Sequence, residues 1–589
     1  MSTPIEDYAL LSNCHSAALV GKDGSIDWLC FPCFDSAACF ASLLGNPENG
    51  RWLLSPTDSQ FEVTRKYIHH SMVLETIYKT PTGSCKVTDC MVMGQEPPTL
   101  IRSVEGLEGV IELKTEFILR FDYGSIVPWV RRNIDSNGIH AVAGPDAVVL
   151  YSDVLLRGEN LHTTATFTIT PEDVKNFTLI WYPSHSKIPN LKRPVSKIHK
   201  TIKWWQKWSA KSRYKGVDEE GVMRSLLTLK ALSYAPTGAI VAAPTTSLPE
   251  EIGGSRNWDY RYGWIRDSSF TLLAFLRAGY KEEAIHWNQW LLKAVAGTPS
   301  QVNLMYGIRG ERRLTELELN WLPGYENSRP VRIGNEAYTQ FQLDVFGELI
   351  ATAHFGRFYG IPIDDNAWRI ESKMVEFVIQ HWKDPDEGIW EVRGPRRHFT
   401  HSKLMAWVAL KHAVDAVKEY NLKGDVALWE KVRDEIHQNI CENGYDPELN
   451  SFVQFYGSKK MDASLLMMPL VGFLPITDKR MVGTINCIEK TLVKDGLVKR
   501  YTPDQSIDGQ SGSEGTFLPC SFWLVRCYSI MGRHQEAFEL YQKLQGLRSD
   551  VGLYAEEYST VDKRMVGNFP QAFSHITQIL AAMGLERSQ

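Results

Sequence analysis

The hydrophobic pattern changes period once along the chain, near residue 200, and this limits the possible folds more than any other feature. Before that point, short stretches rich in β-branched and aromatic residues alternate in character. Examples are Phe61-Glu62-Val63-Thr64, Met72 to Tyr78, Val110 to Phe117 and His162 to Thr168. Alternation puts successive side chains on opposite faces of a strand. Asp23-Gly24, Asn49-Gly50 and Asn137-Gly138 stand between such stretches and suit tight hairpin turns. The expectation over residues 1–200 is a large antiparallel β-sandwich.

From about residue 217 the period becomes helical. Twelve segments follow: 217–234, 266–279, 281–296, 335–358, 365–382, 401–420, 425–441, 462–471, 478–493, 514–532, 534–547 and 567–584. Every even-numbered one is preceded by a long segment rich in Trp, Tyr, Arg, Gly and carboxylates, whereas most other connections are short. Six pairs with their long loops at one end predict an (α/α)6 barrel over 217–589, with the site at the loop end. Residues 201–216, opening Thr201-Ile202-Lys203-Trp204-Trp205, read as a linker helix. No short repeat of fixed sequence is visible, which argues against a solenoid.

Composition narrows the partners. The net charge of −5, with no run of five like charges, disfavours a nucleic-acid or anionic-membrane surface, since both need a basic field. No apolar run reaches about 18 residues, and the first residues lack a basic stretch followed by an apolar one. Ten irregularly spaced cysteines fit free thiols in a reducing compartment, so a cytoplasmic address is expected. Cys30 and Cys33 could form half of a zinc site, but Trp28-Leu29-Cys30-Phe31-Pro32-Cys33 reads better as a buried strand end. Eighteen tryptophans suit a site that stacks sugar faces on rings, although most will be core.

Three loop segments carry the chemistry. Arg256-Asn257-Trp258-Asp259-Tyr260-Arg261-Tyr262-Gly263-Trp264-Ile265-Arg266-Asp267 packs aromatics between two Arg–Asp combinations. Carboxylates and guanidinium groups side by side can take sugar hydroxyls while rings take the apolar face; a salt-bridged loop capped by Asp267 is the plainer reading. In Gly388-Ile389-Trp390-Glu391-Val392-Arg393-Gly394, the ring of Trp390 desolvates Glu391, which raises its pKa and suits it to deliver a proton. A surface Glu391–Arg393 pair is the alternative. Ala555-Glu556-Glu557-Tyr558 puts two carboxylates between tyrosines in an otherwise apolar region, or else forms a solvated turn. Hydrolysis of a glycosidic bond needs two flanking carboxyl groups, which the second and third loops can supply. Arg332 in Pro330-Val331-Arg332-Ile333-Gly334-Asn335 and Arg500 in Lys499-Arg500-Tyr501 are weaker candidates. There is no H-E-x-x-H, P-loop, dinucleotide fingerprint or nucleophile elbow.

The segment Arg256 to Asp267 resembles the hallmark of glycoside hydrolase family 15, the glucoamylase and trehalase family. Asp7 to Leu11 with Gly24 to Cys30 is similar to the N-terminal domain of its prokaryotic-type members, that of the trehalase-like branch. Pro330 to Asn335, Asp462 to Leu466, Glu514 to Leu518, Ser521 to Trp523 and Ala555 to Tyr558 extend the resemblance, in order, over nearly the whole chain. Gly263 departs from the pattern, standing where many relatives have Cys.

The resemblance implies an N-terminal β-sandwich, a linker helix and a catalytic (α/α)6 barrel, and inversion at the anomeric carbon. It makes Glu391, after Trp390, the general acid and Glu556, rather than Glu557, the general base. Arg266 and Asp267 would grip the terminal glucose, Tyr260 would sit beside the attacking water, and Arg500 would be the Arg of the Arg-Tyr segment. Trp258, Asp259, Arg261, Arg332, Trp390, Arg393 and Glu557 complete the expected sugar-binding set. In an inverting enzyme the two carboxyl groups stand about 6.5–9.5 Å apart. No cofactor or metal is expected, and the partner is a small α-glucoside or oligosaccharide. Trehalose is favoured slightly over maltose-type and isomaltose-type sugars. A phosphorylase using one carboxyl acid, and a non-catalytic glycan-binding protein, are the competing readings.

Overall fold

In the computed structural model, which describes residues 2–132, 137–190, 194–295 and 297–586, the N-terminal part is built from two eight-stranded antiparallel sheets. The first runs Tyr8–Ser12, Ala17–Gly21, Ser25–Cys30, Arg51–Pro56, Ile111–Ile118, His162–Ile169 and Arg157–Glu159 in spatial order, with Ala38–Phe40 beside Ser25–Cys30. The second runs Trp129–Arg132, Ile139–Ala143, Asp146–Ser152, Val174–Pro183, Thr99–Gly109, Gly83–Met91, Leu74–Lys79 and Glu62–Tyr67. Strands Leu74–Lys79 and Ile111–Ile118 alternate between buried and more exposed positions, as the sequence pattern requires of a sheet with one face in a core. Tyr8–Ser12, Ala17–Gly21 and Ser25–Cys30 are buried on both faces instead. The helical part covers their second face: Ser12 Oγ donates to the Ala231 carbonyl at 2.7 Å and Trp28 Nε1 to that of Pro244 at 2.8 Å.

The turn at Asp23-Gly24 joins two of these strands. Gly24 has φ of +84°, and a Cβ there would lie 2.1 Å from the Leu54 carbonyl oxygen, so both backbone and neighbour exclude a side chain. Asn137-Gly138 precedes Ile139–Ala143 in the hairpin with Trp129–Arg132, whose other loop residues, 133–136, lie outside the described residues. Cys30 ends a buried strand as expected, and all ten cysteines are free.

Helix α1, Pro194–Ser209, links the two parts. It lies earlier than the expected 201–216, because Pro194 starts the first turn, where its missing N–H costs nothing. Among the described residues, and apart from the four-residue helix Gln505–Asp508, twelve helices follow as six pairs: α2 (Glu219–Ala231), α3 (Ile265–Ala278), α4 (Lys281–Ala294), α5 (Asp344–Phe358), α6 (Asp365–His381), α7 (Thr400–Tyr420), α8 (Val426–Asn443), α9 (Met467–Leu470), α10 (Lys479–Leu492), α11 (Leu518–Ile530), α12 (His534–Gln545) and α13 (Ala572–Glu586). The second members α3, α5, α7, α9, α11 and α13 touch in sequence, and α13 returns to α3, closing an inner ring. The first members pack outside it. Inner helices are buried nearly all round, as α11 shows, while outer ones such as α12 bury a single stripe.

Three inner helices start later than their hydrophobic pattern. The expected 335–358 breaks into a short 3-10 turn, Glu336–Thr339, and α5 from Asp344. Between them, Gln340 Nε2 donates to the carbonyls of Glu391 and Val392 at 3.3 and 3.0 Å, and the Leu343 amide to Asp386 Oδ2 at 3.0 Å. Helix α11 is delayed because Thr516–Phe517 pairs with the strand Glu557–Ser559. Helix α13 starts at Ala572 because Gly567 to Gln571 serve the Glu556 loop: Gln571 donates its backbone amide to the Tyr554 carbonyl at 3.0 Å. These loops are non-helical where the site uses them.

Candidate active site

The long loops meet at one end of the ring around a polar cavity. Tyr260, Trp258, Arg266, Asp267, Trp390 and Glu391 line it, with Arg393 and Arg500. The segment 256–267 enters as Asn257–Asp259, paired with Thr246–Pro249, and leaves through Gly263–Trp264, paired with Met305–Tyr306, directly into α3. Asp267 therefore sits in the first turn of α3, buried, but caps nothing: the N-cap residue is Trp264. Neither Asp267 oxygen has a hydrogen-bond partner, and its nearest cation is Arg266 Nη2 at 3.3 Å. A buried carboxylate aimed at a polar cavity with free acceptors is suited to sugar hydroxyls.

Arg266 organises the second loop. Its Nη1 donates to the Ile389 carbonyl at 2.7 Å and to Glu391 Oε1 at 3.0 Å. Glu391 has φ of +50°, a conformation that costs a non-glycine residue free energy and persists only where the surroundings enforce it. They do: the Glu391 amide donates to the Gly388 carbonyl, Gln340 holds the Glu391 and Val392 carbonyls, and the Arg393 amide donates to the Asp508 carbonyl at 2.8 Å. Trp390 is fixed by its Nε1, which donates to both oxygens of Asp462 at 3.0 and 3.1 Å. The strained residue is the candidate acid. Burial pushes its carboxyl above the usual range, opposed by the Arg266 charge.

Glu556 is 1% exposed and held from both sides. Tyr260 Oη donates to its Oε1 at 2.6 Å, and the Asn568 amide to its Oε2 at 3.2 Å. Gly567, at φ +77°, makes this possible, because a Cβ there would lie 2.6 Å from Glu556 Cβ and 2.7 Å from Oε2. Burial raises the Glu556 carboxyl, while the Arg500 charge and the two hydrogen bonds favour its ionised form. Tyr260 and Arg266 thus connect one loop segment to both candidate carboxyl groups.

Beneath Glu556 lies a buried ionic layer. Arg500 Nη2 contacts Glu250 Oε2 at 2.8 Å, Glu514 Oε2 at 2.7 Å and Glu557 Oε1 at 3.3 Å. Arg256 bonds Asp508 at 2.8 Å and the Tyr501 hydroxyl at 3.2 Å. Glu250, Glu514 and Glu557 offer oxygens within 4.8 Å of one another, a spacing that could hold a cation, and the Arg500 guanidinium already supplies one. Burial with these like charges pushes Glu250 up to about 8 and Glu557 well above the usual range. Glu557 is fully buried and supports Arg500, so its sequence neighbour Glu556 is the one of the pair beside Tyr260.

Not every expected sugar contact faces the cavity. Asp259 and Arg261 are 0% and 1% exposed and pair with each other at 2.7 Å. Arg261 also donates to the Ser36 carbonyl at 2.9 Å and the Tyr123 hydroxyl at 2.8 Å, so it points into the N-terminal sandwich. Arg332 lies over the Trp258 ring at 4.5 Å and bonds the Ser255 and Asn257 carbonyls. Arg393 lies over the same ring at 4.3 Å and is bound through both Nη atoms to Glu316, so its partner is not Glu391. Asn568, Gln340, Asp462 and Glu250 were not singled out from sequence. Polar residues in long loops carry no periodic signal, and their roles depend on which loops meet.

A helical barrel whose loop end brings carboxyl groups, arginines and aromatic rings to one polar cavity, with Glu556 bonded to the lining Tyr260, is the architecture of a glycoside hydrolase. The chain belongs to glycosyl hydrolases family 15, whose model matches residues 216–583, and residues 1–180 match the trehalase-like N-terminal model. It is 36% identical to a trehalase of Mycolicibacterium smegmatis, across 100% of this chain and 92% of that protein. It is 34% identical to a trehalase of Thermoplasma volcanium, across 99% of this chain and 94% of that one. A bacterial glucoamylase solved with acarbose has the same fold, with a TM-score of 0.74 over 100% of this chain and 94% of its own, at 13% identity. The enzyme is thus a trehalase-like glycoside hydrolase with an N-terminal antiparallel β part and an (α/α)6 barrel.

Proposed function

We propose that the enzyme hydrolyses α,α-trehalose with inversion, with Glu391 as general acid and Glu556 as general base. The observation that carries this is the double hold of segment 256–267, Arg266 on Glu391 and Tyr260 on Glu556. Glu391 is the half-buried member, its side chain 21% exposed, so a leaving oxygen can reach its proton. Glu556 accepts two hydrogen bonds and faces the Arg500 charge, which favour its ionised form against the rise that burial imposes, as a group drawing a proton from water requires. The Tyr260 hydroxyl stands beside that water. Asp267, Arg266 and the Trp258 ring bind the sugar, and positive charge developing at the anomeric carbon gains from both carboxyl groups.

Trehalose is favoured because the trehalase relatives match the whole chain, sandwich included. A phosphorylase would have no use for a base held as Glu556 is. The free, mostly buried thiols suit a reducing compartment, and we assign the cytoplasm; among the described residues no helix is long and apolar enough to cross a membrane.

The test is proton NMR of the enzyme with trehalose, maltose and isomaltose separately, in phosphate-free buffer. Trehalose should yield β-glucose and α-glucose in equal amounts before mutarotation. Two α-glucoses would overturn inversion, and cleavage of maltose or isomaltose with trehalose untouched would overturn the substrate.

A further inference from the structure

The cluster His354, His412 and Asp415 lies well away from the cavity. His354 is on α5, ten residues beyond Asp344, and His412 and Asp415 are on α7, beyond Thr400 by twelve and fifteen. At about 1.5 Å per residue they stand roughly 15–20 Å from the helix ends that carry the catalytic loops. The spacing in sequence concealed them: no metal-ligand cluster is visible in the chain, and only the packing of α5 on α7 brings them together.

Their geometry has no explanation within the fold. The two imidazole rings stack with centroids 4.2 Å apart. Nδ1 of each is buried with no hydrogen-bond partner, and the ring of His412 is 8% exposed as a residue. His412 Nδ1 stands 3.5 Å from Asp415 Oδ2, at the outer limit of a hydrogen bond. Leaving two buried ring nitrogens unpaired costs free energy that a bound ligand would recover.

We infer that His354, His412 and Asp415 form a divalent transition-metal site bridging α5 and α7, separate from the catalytic centre. One ligand atom from each already lies within 4.8 Å of the others. Zinc takes imidazole nitrogen at about 2.0–2.1 Å and carboxylate oxygen at similar distance, so the three atoms would close to about 3.3 Å. Side-chain rotation on two packed helices covers that difference. Two imidazoles and one carboxylate select zinc, cobalt or nickel over magnesium or calcium, with water completing the shell. Lys411, 3.2 Å from Asp415, is the competing cation and must swing away. The adjacent Arg357 is engaged by Glu371 at 2.9 Å.

The full-length enzyme, stripped with chelator, is titrated with Co2+ while its visible d–d absorption is followed, then challenged with Zn2+. The expected result is one equivalent bound, with the absorption lost in His354→Ala and in His412→Ala and displaced by Zn2+. Lys411→Ala should bind Co2+ several-fold more tightly than the unmodified chain, which a purely structural role for the cluster would not produce. Hydrolytic activity should not change in any of these variants without metal. Should a histidine variant fail to fold, the Lys411→Ala titration still decides. No binding at millimolar Co2+, equal binding in the histidine variants, or unchanged affinity in Lys411→Ala overturns the site.

Discussion

Arg266 grips Glu391 twice, at the carboxylate and through the carbonyl two residues earlier, at 3.0 and 2.7 Å. The same side chain that lowers the acid's pKa therefore also maintains the φ of +50° that aims it. Arg266→Gln removes the charge, so the Glu391 carboxyl rises further. Because the acid must be protonated, activity falls as pH climbs through its pKa; the alkaline limb of the kcat/KM profile should move to higher pH. The maximum rate should fall by about 10²-fold or more. An alkaline limb that stays in place would assign that limb to another group.

Glu391→Gln and Glu556→Gln keep volume and lose proton transfer. Each should lower kcat by about 10²–10⁴-fold, with thermal melting within a few degrees of the parent. Tyr260→Phe is the subtler probe. It withdraws one hydrogen bond that favours ionised Glu556, raising that pKa. A base must be ionised, so the acid limb should shift to higher pH while the alkaline limb stays. Opposite limbs moving in Tyr260→Phe and Arg266→Gln would assign the two roles, and one limb moving in both would refute the assignment.

Gly567→Ala forces a Cβ to within 2.6 Å of Glu556 Cβ at a backbone φ of +77°. The alanine variant should lose about 1–3 kcal/mol of stability. It should also lose kcat disproportionately to KM, because it displaces the base and not the sugar contacts. Steady-state kinetics beside thermal melting reads both.

Asp344 is buried beside Asp386 at the start of α5, and its carboxyl is raised to about 7 by burial, then by Asp386, against the Arg266 charge. An unfolded aspartate ionises near 3.9. Between those values the folded chain holds a proton that the unfolded chain has released, so stability falls as pH rises from about 4 to about 7. Asp344→Asn removes this dependence. Its melting temperature should exceed that of the parent at pH 8 by more than it does at pH 4.5, and an equal difference at both would refute the burial argument.

The architecture was legible because period is a local property. All twelve helices and the alternating strands could be placed, as each repeats its pattern within about twenty consecutive residues. What could not be seen were pairings across the chain. Arg261 looked like a sugar contact beside Trp258, and only the packing of the sandwich turns it to Ser36 and Tyr123. Arg393 was set against Glu391, two residues away, yet it bonds Glu316 from a distant loop. The late starts of α5, α11 and α13 have the same origin: apolar residues continued the helical pattern into segments whose backbone takes other conformations around the site. Glu391 and Glu556 could be put forward as candidates because each stands in an aromatic, short-range context, whereas the Asn568 backbone amide and the Gln340 side-chain amide reach partners from distant loops that composition does not encode.

Arg261 has a further consequence for how such enzymes can be built. Its guanidinium is satisfied by Asp259 within the catalytic segment and by Ser36 and Tyr123 from the sandwich. A barrel expressed alone would expose that cation and leave its Nη atoms without the Ser36 and Tyr123 acceptors, next to the strand leading to Tyr260. The two halves are therefore not interchangeable modules. A chimera that exchanges the sandwich must bring its own acceptors for this one guanidinium, and selection on either half is constrained by the other through it.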